Sequence, residues 1–128
     1  GGFAQGLSDG LAASSRTAAS STVLMLFGGP GHQTYLGCVN CNQYARESIF
    51  NAYGTFGSRY SSQSVVNTYS QFGSAYSNYG ACNQYANDPP VIVDGAGSFY
   101  GRLTLNRHHR QVSRDSRLIA WLAAICAQ

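Results

Sequence analysis

Ser48-Ile-Phe-Asn-Ala-Tyr-Gly-Thr-Phe-Gly-Ser-Arg-Tyr-Ser-Ser-Gln63 is followed at once by Ser64-Val-Val-Asn-Thr-Tyr-Ser-Gln-Phe-Gly-Ser-Ala-Tyr-Ser-Asn-Tyr79. Eight of the sixteen positions are identical, and a third unit opens at Gly80-Ala-Cys-Asn83-Gln-Tyr85 before Asp88-Pro-Pro90 ends it. Repeats of this kind supply packed structural units more often than reaction centres. In each unit a Ser precedes an apolar pair and a Gly closes the segment. Val65, Tyr69 and Phe72 stand at i, i+4 and i+7, as do Ile49, Tyr53 and Phe56. That spacing predicts a short helix per unit, capped by Ser62 or Ser64 in the second and closed by Gly73. On this reading Tyr53 and Tyr69 serve core and turn, while Tyr60 and Tyr76 on the connectors face outward.

On the N-terminal side, Val23–Phe27 and Thr34–Val39 read as strands joined by the turn Gly28-Gly-Pro-Gly31. On the C-terminal side, Val91–Asp94 and Phe99–Leu105 flank Gly95-Ala-Gly97 as a second hairpin. A C-terminal helix comes last, capped by Ser113 or Asp115, with Leu118, Trp121, Leu122 and Ile125 as its apolar stripe. The fold class is therefore α+β: a small antiparallel sheet of two hairpins, covered by short repeat helices and the C-terminal helix. Residues 1–22 form an arm, flexible or docked on a partner, and 23–128 one repeat-containing domain.

Only 10% of the residues are charged, against about 25% in an average domain. Lysine is absent, and nine Tyr, fifteen Gly and eight arginines shape a hydroxyl-rich surface of net charge +3. Such a surface suits an extracellular protein or one covered by partners. No apolar run is long enough to cross a membrane. A start at Gly1-Gly2 without Met fits a mature chain whose export signal was removed.

The runs Tyr35-Leu-Gly-Cys-Val-Asn-Cys-Asn42, Asn51-x-Tyr-Gly-x-Phe-Gly-Ser-x-Tyr-Ser61 and Asn67-x-Tyr-x-x-Phe-Gly-Ser-x-Tyr-Ser77 carry a likeness. Asp88-Pro-Pro-Val-Ile-Val-Asp94 with Gly97-x-Phe-Tyr-Gly101 extends it over about residues 23–106. The chain resembles a largely uncharacterised family of secreted bacterial proteins with these repeats. The resemblance implies export from the cytoplasm and carries no catalytic residues.

Cys38, Cys41, Cys82 and Cys126 read as two disulfides of an oxidising compartment. Cys38-Val-Asn-Cys41 also has redox and zinc spacing, but Cys38 ends a strand rather than opening a helix, and further zinc ligands lack standard spacing. Three pairings remain open. Joining Cys41 to Cys82, each ahead of Asn-Gln-Tyr, would tie the two ends of the repeat array and leave Cys38 for Cys126.

Arg102, Arg107, Arg110, Arg114 and Arg117 gather around His108 and His109. They suit either an anionic partner such as acidic polysaccharide, nucleic acid or phosphate, or a plain solvated linker with Asp115 as local counter-ion. The five acids lie mostly in turns and caps, and no hydrolase, metalloprotease or phosphate-loop motif is present. The expectation is a non-enzymatic protein without cofactor or metal, extracellular or periplasmic. It is either a structural subunit, self-associating through its N-terminal arm into an assembly such as a filament, or a binding module for cell-wall or surface glycan. The binding candidates are Tyr60, Tyr76, Arg107 and Arg110; nucleic acid and membrane insertion are not expected.

Overall fold

The computed structural model describes residues 22–128; the expected N-terminal arm, apart from Thr22, lies outside the described residues. Two hairpins make one four-stranded antiparallel sheet. Strand β1 (Met25–Gly28) turns through a single 3-10 turn at Pro30–His32 into β2 (Thr34–Cys38), and β3 (Val91–Val93) turns into β4 (Phe99–Arg102). The strand order is β2-β1-β3-β4. Phe27 pairs with Tyr35 on one side and with Val91 on the other, so the hairpins meet along β1 and β3. All three repeat units lie between the partners of this seam. Helix α1 (Ser116–Cys126) closes the chain, and the Asp115 side chain caps it by accepting the N–H groups of Arg117 and Leu118.

One core joins these parts. Leu26 and Leu36 from the first hairpin, Ile92 from the second, Leu103 beyond β4, and Leu118 and Leu122 of α1 are buried together with Ile49, Val65 and Ala81 of the three units. Phe50 and Trp121 meet edge to face with ring centroids 4.8 Å apart. The hairpins and the C-terminal helix thus form where hydrophobic pattern and cap chemistry place them.

The repeat helices do not. Residues 42–86 run as consecutive turns of three residues, with a four-residue step from Gly54 to Ser58 and from Ser70 to Ser74, and hold no helix. Backbone N–H groups reach back three residues, from Ala45 to Asn42, from Ser48 to Ala45, from Asn51 to Ser48 and onward through the second and third units. Side chains enforce the period. Asn51 Oδ1 accepts the N–H of Tyr53, Ser58 Oγ that of Tyr60, Ser61 Oγ that of Gln63, Ser64 Oγ that of Val66 and Asn67 Oδ1 that of Tyr69. A Ser or Asn at most of the turn openings therefore gives the backbone a local partner in place of the continuous i→i+4 ladder of a helix. The Asn amide adds a second clasp. Asn51, Asn67 and Asn83 each donate from Nδ2 to the carbonyl six residues earlier, at 3.1, 3.0 and 2.9 Å. The chain coils so tightly there that a side chain at Gly57 or Gly73 would collide with the Asn51 or Asn67 carbonyl.

The cysteines pair as Cys38–Cys41 and Cys82–Cys126, one of the three pairings left open by the sequence and not the one that joins Cys41 to Cys82. The shared Cys-Asn-Gln-Tyr string hides two registers. Asn42 is in step with Ser58 and Ser74, whereas Asn83 is in step with Asn51 and Asn67. Cys82 accordingly takes the inward position of Phe50 and Val66 and reaches α1. Cys41 stands where β2 passes into the first turn, three residues from Cys38.

Asn67→Ala removes both clasps of the central unit and is expected to lower stability by roughly 1–3 kcal/mol. Asn67→Asp keeps the acceptor for Tyr69 and should cost less; urea unfolding of the two variants ranks them. Replacing Cys82 and Cys126 together by Ser opens a loop with a sequence separation of 44, for which chain entropy gives about 4 kcal/mol. The same change at Cys38 and Cys41 should cost about 2 kcal/mol on that scale, so denaturant midpoints must fall in that order.

Candidate functional site

The turn period sorts the repeat side chains into two classes. Turns opening at Ser48, Ser64 and Gly80 send Ile49, Val65 and Ala81 into the core. Turns opening at Asn42, Ser58 and Ser74, and at Asn51, Asn67 and Asn83, present a tyrosine two residues later. Tyr44, Tyr60 and Tyr76 make one series at sixteen-residue spacing, and Tyr53, Tyr69 and Tyr85 a second. All six stand between 81% and 100% exposed. Each has its N–H held by the side-chain oxygen two residues earlier, so the backbone that aims the ring is fixed while the ring is bare. Among the described residues none of the six hydroxyls has a hydrogen-bond partner, whereas Tyr35 donates to Glu47 at 2.6 Å and Tyr100 to Asp94 at 2.8 Å.

Tyr60 and Tyr76 are thus placed where expected. Tyr53 and Tyr69 are not core residues; a three-residue period puts them outside, while Val65 and Phe72 of the supposed helical face are buried. Tyr44 and Tyr85 complete the two series. Sequence reasoning passed over them, although Asn42-x-Tyr and Asn83-x-Tyr repeat the same signal.

Two clefts open beside these rings. Tyr60 and Tyr69 line a cleft of about 180 Å³ with Val66 and Ile125 as apolar wall and Arg59 and Thr68 as polar groups. Tyr85 lines another, of about 380 Å³, with Gln84, Leu105, Arg107 and His108. The basic stretch is therefore divided. Arg107 joins a tyrosine cleft, and Arg110 is exposed on the turn that His109 closes with Val112. Arg102 is internal: it donates to Asp88 at 2.8 Å, to the Pro89 carbonyl at 2.9 Å and to Gln111 at 2.8 Å. His109 accepts the N–H of Gln111 on Nδ1 and reaches the Asn87 carbonyl with Nε2.

Every acid of the described residues is engaged. Glu47 accepts from Tyr35, Asp94 from Ala96, Ser98 and Tyr100, and Asp115 caps α1. Burial together with Glu47 pushes the Tyr35 hydroxyl well above its ordinary pKa. Asp88 receives His32 Nε2 at 2.6 Å as well as Arg102. Burial opposes its ionisation, but the hydrogen bonds from Arg102 and His32 outweigh burial and lower its pKa. Among the described residues no three His, Cys, Asp or Glu side chains gather to hold a metal ion, and no helix is long and apolar enough to cross a membrane. The two closed disulfides fit an oxidising environment. Compared with protein-family models, with characterised proteins and with solved structures, the chain matches none.

The lowered Asp88 pKa has a definite sign in stability. Its contribution is complete above the unfolded value of 3.8 and disappears as pH falls through the lower folded value. Asp88→Asn is expected to flatten the loss of stability in that acid window, as read from urea midpoints above and below it.

Proposed function

We propose that this protein is a non-enzymatic, extracellular or periplasmic module that binds a glycan chain across its tyrosine-bearing turns. The observation that carries this reading is the double series of six exposed tyrosines on clamped backbone. Holding large aromatic rings in water is unfavourable unless something covers them, and extensive exposed aromatic surface marks contact sites. Thr68 lies beside Tyr60 and Tyr69 and Gln84 beside Tyr85 in the clefts, and Gln43, Thr55, Ser62 and Gln71 stand within two residues of a tyrosine in sequence, so hydroxyls and amides accompany the rings. Rings flanked by such donors and acceptors match a sugar, which offers an apolar face and hydroxyl edges. The resemblance to secreted repeat proteins and the disulfides support placement outside the cytoplasm.

The structural-subunit reading uses the same tyrosines differently, burying them against a second copy. Its docking arm, residues 1–22, lies almost wholly outside the described residues. Particle mass separates the two readings. A 13.7 kDa species in light scattering that is retained by insoluble cell-wall polysaccharide supports the binding module. Large particles that dissociate on Tyr60→Ala with Tyr76→Ala would assign the rings to self-assembly.

Each ring is worth about 1 kcal/mol on stacking, so Tyr60→Ala combined with Tyr69→Ala should weaken glycan binding about thirtyfold. Thermal stability should stay within about 0.5 kcal/mol of the parent because both rings are exposed. Unchanged retention on the polysaccharide would exclude the tyrosines as the contact.

A further inference from the structure

We infer that the glycan is anionic, a chain bearing sugar carboxylates, and that Arg59 and Arg107 are the residues that recognise its charge. The inference rests on the glycan-binding reading above and names the ligand class within it. Among the described residues Arg102 is the one arginine with a carboxylate within salt-bridge distance. Glu47, Asp88, Asp94 and Asp115 are already committed to a tyrosine hydroxyl, a half-buried arginine, a turn and a helix cap. Arg46, Arg59, Arg107, Arg110, Arg114 and Arg117 therefore keep their charge for an outside partner.

Two of these cations stand in the tyrosine clefts. Arg59 shares the cleft of Tyr60 and Tyr69, and Arg107 that of Tyr85. Tyr69 and Tyr85 hold equivalent positions in successive units whose Val65 and Ala81 enter one core. Tyr69 of the second unit and Tyr85 of the third thus each offer a ring for a sugar face, with a guanidinium beside it that comes from Arg59 of the first unit and from Arg107 beyond β4. A linear polymer with a recurring carboxylate matches both demands at once. The guanidinium fork binds a planar carboxylate through two parallel hydrogen bonds, which a lysine ammonium does not, and its plane stacks on aromatic faces. The chain contains no lysine at all. Aromatic rings with arginines also suit single-stranded nucleic acid, but the two disulfides favour a compartment where polysaccharide is the available polyanion.

The full chain is titrated with polygalacturonate, with neutral dextran, with dextran sulfate and with poly(dT), at low and at physiological salt. Polygalacturonate should bind tightest and lose affinity with added salt. Arg59→Gln and Arg107→Gln should each weaken it about tenfold, and Arg59→Lys should restore only part. Arg114→Gln removes the same charge and lines neither tyrosine cleft, so it should change affinity less than about twofold. Equal binding of dextran and polygalacturonate, or equal loss in all three Gln variants, would overturn the charge recognition and leave glycan binding standing. Tighter binding of dextran sulfate would overturn the carboxylate assignment and move the anion to a sulfate ester. Poly(dT) bound most tightly, or no polysaccharide bound at all, would overturn the inference together with the reading beneath it.

Discussion

A side-chain oxygen accepting the backbone N–H two residues ahead is the interaction on which the rest of this structure depends. It is supplied by Ser or Asn at Asn42, Ser48, Asn51, Ser58, Ser61, Ser64, Asn67, Ser74, Ser77 and Asn83. Each bond is modest, on the order of 1 kcal/mol, but the set decides what the backbone becomes. With donors satisfied locally, neither a helix nor a sheet ladder is needed to offset the cost of burying the polypeptide. The chain winds instead into a tight coil of turns, in which one turn per unit delivers aliphatic side chains to the core and two present tyrosines.

Such a coil has little internal hydrophobic surface, so its stability comes from the sheet and helix it packs against. Ile49, Val65 and Ala81 shrink in size along the units while each remains fully buried. The ends are held differently. The first unit leaves β2 through the Cys38–Cys41 bridge and a parallel bridge between Cys38 and Ser48. The third is joined covalently to α1 through Cys82 and Cys126. The His32–Asp88–Arg102 group then links the first hairpin, the end of the units and β4 at one point.

Much of this architecture was legible in the residues. Turn signals around Gly28-Gly-Pro-Gly31 and Gly95-Ala-Gly97 marked the hairpins, and Asp115 ahead of Leu118, Trp121 and Leu122 marked the helix. The units misled because Val65, Tyr69 and Phe72 satisfy a helical spacing by coincidence. The competing signal, Ser58, Ser61, Ser64, Asn67 and Ser70 at every third position, was equally present, and local side-chain bonding prevails over propensity in a stretch this rich in Ser and Asn. Tyr60, Tyr76 and Arg107 were legible as surface groups; the pairing of Arg107 with Tyr85 was not, because it brings together residues far apart in sequence. The disulfide partners were hidden by the two registers of Cys-Asn-Gln-Tyr.

The seam between β1 and β3 has a consequence for how the chain reaches this state. Turns of three residues close in the time of local loop formation, whereas Phe27 can meet Val91 only after the whole intervening coil has become compact. Pairing of β1 with β3 is therefore the long-range step of this fold. Cys38 and Cys41 can oxidise on the unfolded chain, but Cys82 waits for a helix made from the last residues to arrive. The Cys82–Cys126 bridge thus joins two parts of the chain that no local turn can bring together, and it fixes α1 against the third unit.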